Sequence, residues 1–408
     1  MNQTPAGSRL REREIPLELV QLDYARARYG EEVDRYAGFF FATDPLADAV
    51  VEDFERLGWQ LGFQMLATAL DRGVDAVADA PASLRELFRV VERVPDWVDW
   101  RRVELGARTF QRAGVHANVV LSAVSLMVAY RSSVANKPLV FTRALERMAP
   151  RRLAETGRFV VAVCQADGLR RGSEGFKLAI RVRLMHAKVR GLILRSPRWD
   201  SARWGAPINQ ANMAGTTLLF SYALLAGLRK LGFHVSRREG AALMHLWRYA
   251  GWLSGVDEEL LCDDEAKAAH LLELGYLIQP GADEDGRALA RALSQAPIAH
   301  GRNVVERFIG RAVVSYIDGM TWALNGPELA SDLRIGHRPW RHVIHVSRAV
   351  IRPLERLRRA LPFGTALFAR AGNYAMHYGI AVQLRGRDAD FKPPTRLPTQ
   401  PAARAKAA

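Results

Sequence analysis

The chain has 408 residues, of which 49% are hydrophobic and 25% are charged, a composition that excludes a mainly disordered protein. Two cysteines, Cys164 and Cys262, are too few for a disulfide framework or a four-cysteine zinc site. The formal net charge is +15, and the residues from 331 onward carry 15 Lys or Arg against four Asp or Glu. Such a basic segment attracts nucleic acid or anionic lipid, or is simply solvated.

The N-terminal residues run directly into charges and lack the apolar stretch of a signal peptide. The apolar run at residues 213–228 includes hydroxyl side chains and is shorter than the roughly 20 apolar residues of a membrane span. It therefore predicts a buried core helix. We expect a cytoplasmic protein that contacts a membrane at most at its surface.

Helix signals follow one another along the chain, and strand-like alternation is almost absent. Asp44-Pro45 is typical of an N-cap followed by proline in the first turn, and it opens an amphipathic run to Leu70. The segments 83–86 and 236–239 have the pattern of capping boxes. Further helices are predicted over residues 121–130, 150–166, 174–194, 208–231 and 304–322.

The predicted organisation is all-α, with one large helical domain over residues 41–330. Residues 1–40 form an N-terminal arm without a clear pattern. Residues 331–390 form a basic helical extension with helices at 343–360 and 365–377. The proline-rich residues 391–408 predict a disordered tail.

Common signatures of dinucleotide, P-loop, zincin and α/β-hydrolase chemistry are missing from the sequence. The most informative helix is 174–194, where Arg183, His186 and Arg190 have the i, i+3, i+7 spacing of one helix face among apolar neighbours. Buried arginines need anionic partners. One imidazole between two guanidinium groups suits haem, which brings an iron and two propionates. The alternative is a structural histidine beside arginines that pair with glutamates elsewhere in the chain.

A second stripe includes Arg152, Glu155 and Thr156 on the helix predicted to open near Pro150. A glutamate on an apolar face can act as a base. The alternative is an Arg152–Glu155 ion pair at a helix start, worth a few tenths of a kcal/mol. Thr217 interrupts an apolar helix, where threonines often bond only to the helix backbone.

Six segments, taken together and in this order, resemble the catalytic domain that latex-clearing proteins (rubber oxygenases) share with the fungal oxygenase that cleaves the mycophenolic acid side chain. They are VPDWVDWRRVELGARTF, LAETGRFV, RVRLMHAKVR, WDSARWGAPINQANMAGTTLLFS, GLRKLG and HLWRYAGWLSGV. The resemblance implies a globin-like all-α domain enclosing haem b, which cleaves carbon–carbon double bonds with O2. By motif match, His186 is the iron ligand, and Arg183 and Arg190 belong to the haem pocket. Thr217 is expected to contribute to this pocket and, with Phe220, to an apolar cavity for the substrate. Arg152, Glu155 and Thr156 are expected on the oxygen side.

Glu155 departs from the family pattern, because latex-clearing proteins carry lysine at this position of Arg-x-x-Lys-Thr. In some members that lysine caps the iron in a closed resting state. Glu155 is expected to act as a base, to bind the iron, or to stay off it and leave an open oxygen site. The segment 131–137 offers no carboxylate to match another glutamate of the family pocket.

The resemblance therefore predicts a haem-dependent oxygenase whose partners are O2 and a hydrophobic small molecule, an isoprenoid or an unsaturated lipid. The basic extension predicts peripheral contact with an anionic membrane. The rival prediction is a non-enzymatic carrier of haem or lipid with the same fold. A nucleic-acid partner is not expected, since no recognisable motif accompanies the charge, and no particular oligomeric state is predicted.

Overall fold

The computed structural model of this protein describes residues 15–142, 144–299, 303–336 and 342–384. Within these ranges every regular element is helical, so the all-α prediction is confirmed. The first third contains α1 (Leu22–Tyr29), α2 (Glu32–Gly38), α3 (Pro45–Leu57), α4 (Trp59–Arg72), α5 (Ala82–Val91), α6 (Trp100–Ala113) and α7 (Val115–Val120).

The middle third contains α8 (Leu126–Arg131), α9 (Ser133–Phe141), α10 (Ala144–Val163), α11 (Glu174–Leu194), α12 (Ser201–Trp204), α13 (Gln210–Phe220) and α14 (Tyr222–Leu231). The last third contains α15 (Arg237–Leu253), α16 (Glu265–Ile278), α17 (Glu284–Ala299), α18 (Val304–Asn325), α19 (Pro327–Asp332), α20 (Val343–Ala360) and α21 (Gly364–Leu384). A π-helical turn, Leu121–Ser125, joins α7 to α8, and short 3-10 turns lie at Val74–Ala76 and Glu258–Leu260.

The caps of three helices test the sequence predictions. The Asp44 side chain accepts from the Ala47 amide at 3.3 Å, which confirms the N-cap of α3. The run expected to continue to Leu70 is instead split into α3 and α4, because Gly58 has φ 92° and ends the first helix. The capping box of Ser236 and Glu239 is confirmed.

The capping box predicted for residues 83–86 is wrong. The N-cap of α5 is Pro81, and the Ser83 hydroxyl donates to the carboxylate of Asp53 on α3. The Ser83 hydroxyl, which the local sequence pattern predicted to cap its own helix, instead bonds to a residue of another helix. Likewise α10 begins at Ala144 rather than near Pro150.

The described residues that precede α3 pack on the core. Ala25 of α1 and Val33 and Ala37 of α2 are fully buried in the main hydrophobic cluster, and the Val20 amide donates to the Ile278 carbonyl at 2.8 Å. Only one residue of α1 is buried, which explains why the sequence shows no amphipathic pattern there.

The same core takes up the C-terminal helices. Helix α20 spans the predicted residues 343–360, and α21 runs beyond the predicted end at residue 377. Glu355 of α20 is buried between Arg112 of α6 and Arg358, each with a nitrogen–oxygen distance of 3.0 Å, and it accepts from the His234 amide at 3.1 Å. These bonds fix α20 to the helical body. The predicted tail, residues 391–408, lies outside the described residues.

In the part of the chain that the structure describes, the stretch Gln210–Leu231 is long and apolar enough to cross a membrane. It is broken at Ser221 into α13 and α14, and 61% of its most apolar window is buried inside the protein. The pair Trp100–Ala113 and Val115–Arg131 also qualifies jointly, although it is bent by 85°. Burial of Gln210–Leu231 agrees with the core helix predicted from the sequence.

Candidate functional site

Helix α11 lies inside the protein, packed against α3, α10 and α15. Arg183 of this helix is 6% exposed and forms a bidentate ion pair with Asp44, with distances of 2.6 Å (Nε–Oδ2) and 2.8 Å (Nη2–Oδ1). Since Asp44 is also the N-cap of α3, one carboxylate orders the start of α3 and neutralises a buried cation. The guanidinium of Arg183 is thereby fixed in direction.

Arg190 lies two turns further along α11 and is 1% exposed. It pairs with Asp48 of α3 and donates to the carbonyls of Pro207 and Ile208 at 3.3 and 3.0 Å. Burial raises the pKa of Asp48, while the Arg190 charge acts in the opposite direction. The anionic partners of both arginines are thus aspartates of α3, where the sequence alternative expected glutamates.

His186 lies between these arginines on the same stripe of α11, and its side chain is half-buried. Two residues after His186 comes Lys188, whose ammonium lies 3.4 Å from the centre of the Trp59 ring. Burial lowers the pKa of Lys188 to about 8. Ion pairs and a cation–π contact therefore hold the helix around His186 from the α3–α4 side.

Helix α10 carries the three residues predicted for the oxygen side. Glu155 is 4% exposed, whereas the Thr156 side chain is exposed. The side chain of Arg152 is outside the described part of the structure. The helix thus turns Glu155, and not Thr156, into the protein.

Helices α10 and α11 pack together as a hairpin, tied near its closed end by Arg158 and Glu174 at 2.9 Å. The Ala162 carbonyl lies so close to Gly175 that a Cβ there would approach it to 2.7 Å. Measured from that contact, Glu155 and His186 lie roughly 10 and 16 Å along their helices, at 1.5 Å per residue. Both therefore lie near the middle of the hairpin, with His186 further from the closed end than Glu155.

Helix α13 presents Met213 and Thr217 to this region. The Met213 sulfur is 3.9 Å from Arg190 Nη2, and Thr217 follows one turn later. The Thr217 hydroxyl donates to the Met213 carbonyl at 3.1 Å, the backbone bond that the sequence alternative expected. Its methyl group lies against Gly251 of α15.

An aromatic cluster joins α10, α13 and α15. The Trp247 ring of α15 stacks on Phe220 with a centroid distance of 4.9 Å and lies 6.3 Å from Phe159, one turn after Glu155. Trp247 is 2% exposed, and within the described structure its indole N–H has no hydrogen-bond acceptor. A buried donor left in this state has a cost that a bound acceptor would remove. Trp247 is not among the site residues predicted from the sequence, although the segment HLWRYAGWLSGV contains it.

The structure shows a cleft near Thr217. Thr217 does not line this cleft, so it is not the apolar cavity expected from the sequence. This cleft lies between α8, α9, α13 and α16, and its space including the open mouth is about 590 Å³. Helix α13 lines it with Asn212, Gly215, Thr216 and Leu219, the face opposite to Thr217. Arg131, stacked 3.9 Å from the Tyr276 ring centre, forms part of its wall.

The donor set fits a cofactor that brings most of its own metal ligands. Among the described residues, no group of three or more His, Cys, Asp or Glu side chains could hold a metal ion by itself. His186 is a single imidazole on a rigid buried helix, and a porphyrin iron needs only such an axial ligand. The buried Trp247 N–H is a suitable donor for a carboxylate or carbonyl.

Comparison with known proteins gives three consistent findings. The family model of the ER-bound oxygenase mpaB/B'/Rubber oxygenase catalytic domain matches residues 104–361. The rubber oxygenase of Streptomyces sp. (strain K30) is 23% identical over 183 residues, which are 44% of this chain and 45% of that protein. The solved structure of the latex clearing protein LCP in the closed state superposes with a TM-score of 0.61 and 19% identity, covering 84% of this chain and 91% of the other. Because the family match spans more than half of the chain, this protein belongs to the ER-bound oxygenase mpaB/B'/Rubber oxygenase catalytic domain family.

Proposed function

We propose that the protein is a haem-b-dependent oxygenase that cleaves a carbon–carbon double bond of a hydrophobic isoprenoid or unsaturated lipid with O2. The observation that carries the proposal is His186, set between Arg183 and Arg190 on a buried helix of a chain that belongs to an oxygenase family. The name of the Streptomyces relative supports an isoprenoid substrate, because rubber is a polyisoprene.

In this proposal His186 holds the haem iron. Arg183 and Arg190 already have aspartate partners, so their part is to fix the position and rotation of α11 around the ligand. The N–H of Trp247 is available to a propionate or to a substrate oxygen, and Thr217 borders the same region. When bound, the haem would supply the activation of O2.

The remaining residues position the substrate and handle its protons. Phe159, Phe220 and Trp247 form an aromatic wall that excludes water and accepts an apolar chain. Glu155, buried one turn before Phe159, brings a carboxylate to this wall. Its Oε atoms are suited to accept a proton from the carbon next to the double bond and to return it, so that the alkene and O2 together give two carbonyl ends with no net loss of a proton.

A non-enzymatic carrier of haem or lipid is the second candidate. The observation that favours it is Glu155, because the resembling family pattern has lysine at this position. In a carrier the aromatic wall would still hold an apolar ligand. Glu155 would then have no proton to accept.

The absorption spectrum of the purified protein, supplied with hemin, tests the cofactor and its ligand. We expect a Soret band in the native chain that is lost or strongly shifted in His186→Ala. The matched control is His116→Ala, since His116 is also a half-buried histidine and lies on α7. A colourless native protein, or a band that His186→Ala leaves unchanged, contradicts the proposal.

Oxygen uptake by the reduced haem protein separates the two candidates. With a polyisoprenoid or an unsaturated fatty acid, the oxygenase consumes O2 and releases carbonyl-terminated fragments. The carrier consumes none and returns the lipid intact. Glu155→Gln should reduce the rate of fragment release while leaving the Soret band in place, because the amide cannot accept the proton.

A further inference from the structure

Helix α20 presents three different faces. The face against the protein is buried and consists of Val343, Ile344, Ile351, Glu355 and Arg358. The bonds of Glu355 to Arg112 and Arg358 hold this face in place. The other two faces therefore belong to a helix that is held in a fixed position on the protein.

One flank of α20 is an exposed apolar stripe. Its members are spaced i, i+4, i+8, i+11 and i+15, which places them in one line along the helix. They are Val346, Val350, Leu354, Leu357 and Leu361, between 40% and 64% exposed. In a globular protein such a stripe normally faces a core, whereas in the described structure this one faces outward.

The other flank of α20 is basic. Its line consists of Arg348, Arg352, Arg356 and Arg359. The first three line one shallow groove together with His345 and Pro353. Arg348 is oriented by donating to the Lys230 carbonyl at 2.7 Å, and the other three arginines are exposed.

The apolar surface continues onto α21, which is joined to α20 by a short turn. Phe363 in this turn is 88% exposed. An outer line of α21 carries Leu367, Tyr374, Tyr378 and Val382, all more than half exposed. Tyrosine is favoured where one end of a side chain is apolar and the other meets water, as at a bilayer surface.

We propose that the apolar and basic flanks of α20, here called the docking face, bind the surface of an anionic lipid bilayer. The apolar stripe would enter the boundary between headgroups and acyl chains, and the arginines would contact lipid phosphates. The argument is charge complementarity. An exposed apolar stripe alone fits many partners, but the parallel line of four arginines favours an anionic partner. The inference does not depend on the proposed haem chemistry.

Three other occupants fit less well. A second copy of this chain would bring two arginine lines together, which repel each other. Residues 385–408 of the same chain carry six Lys or Arg and two Asp, so the basic flank would repel this segment as well. Nucleic acid would match the arginines but would leave the apolar stripe without a partner.

The test is co-sedimentation of the full chain with vesicles of phosphatidylcholine alone and of phosphatidylcholine mixed with phosphatidylserine. We expect preferential pelleting with the anionic vesicles, weakened by salt. Arg352→Glu/Arg356→Glu should lower this binding tenfold or more, since each cation near the surface contributes on the order of 1 kcal/mol. Val350→Ser/Leu354→Ser should lower it as well, because these exposed side chains supply the apolar contact.

The matched control is Arg101→Glu/Arg237→Glu, which makes the same charge change at exposed positions of α6 and α15. Unchanged circular dichroism and thermal unfolding show that each variant is folded. Equal pelleting with both kinds of vesicle, or equal loss in the control, overturns the proposal. It is also overturned if the docking-face variants leave vesicle binding unchanged but abolish a dimer or a complex with duplex DNA.

Discussion

Arg183 and Asp44 form a buried bidentate ion pair that joins the middle of α11 to the first turn of α3, with both side chains at most 6% exposed. This pair lies one turn from His186. It fixes the helix that carries the candidate iron ligand, and it does so through a residue 139 positions away in the sequence. The contact that ties α3 to α11 would therefore also hold the proposed iron ligand in position.

Asp44→Asn should lower the free energy of unfolding by about 3 kcal/mol, because it leaves the Arg183 cation buried without its counter-charge. Denaturant unfolding of the two proteins measures the difference. Asp75→Asn is the control, since Asp75 faces Arg85 at 3.7 Å with its side chain 99% exposed, and it should cause no measurable change. Equal free energies of unfolding for the native chain and Asp44→Asn would show that the ion pair does not stabilise the fold.

Trp247→Phe should weaken hemin binding about tenfold, roughly 1.4 kcal/mol, if its buried N–H donates to the bound group. Trp252→Phe is the matched variant, because Trp252 also stacks on a ring but its N–H already donates to Glu258 at 3.0 Å. Hemin titration followed at the Soret band gives both affinities. Equal affinities in the two variants would mean that the Trp247 N–H has no part in the site.

His245 should make the protein less stable in acid. The Asp99 amide donates to Nε2 of this buried histidine at 2.9 Å, so the folded protein needs the ring neutral, and burial lowers the pKa of His245 to about 4. As the pH falls below 6.5, His245 becomes protonated in the unfolded chain, whereas in the folded chain it stays neutral down to about pH 4.

The free energy of unfolding should consequently fall by about 1–2 kcal/mol between pH 7 and pH 5 through this residue alone. Urea unfolding of the native chain and of His245→Gln at both pH values isolates the contribution, since the glutamine variant lacks the proton site. Parallel pH dependence of the two proteins would show that His245 is not its source.

Gly106→Ala should destabilise the protein by about 1–3 kcal/mol through overpacking. A Cβ at Gly106 of α6 would come within 2.5 Å of the Ala242 carbonyl of α15, and neither backbone can move freely. Gly215→Ala on α13 meets open space and should raise helix stability by up to about 1 kcal/mol. Thermal unfolding should shift in opposite directions for the two variants, and a common direction would contradict this packing.

The sequence by itself determined the local features of the fold. The bounds of α11 and α20, the capping box at Ser236 and the common face of Arg183, His186 and Arg190 all depend on interactions within a few residues. Helical period and cap chemistry act over that range, so they are readable without a structure. The family resemblance came from the same segments, and the family match confirms it.

Only the tertiary structure decided which partners those residues meet. Asp44 and Asp48 neutralise the arginines from a helix far away in sequence, and Ser83 bonds to Asp53 instead of capping its own helix. The inward direction of Glu155 and the buried N–H of Trp247 likewise follow from how α10 and α15 are packed. Such contacts join residues tens to hundreds of positions apart, and their choice depends on the packing of the whole chain, which no local pattern records.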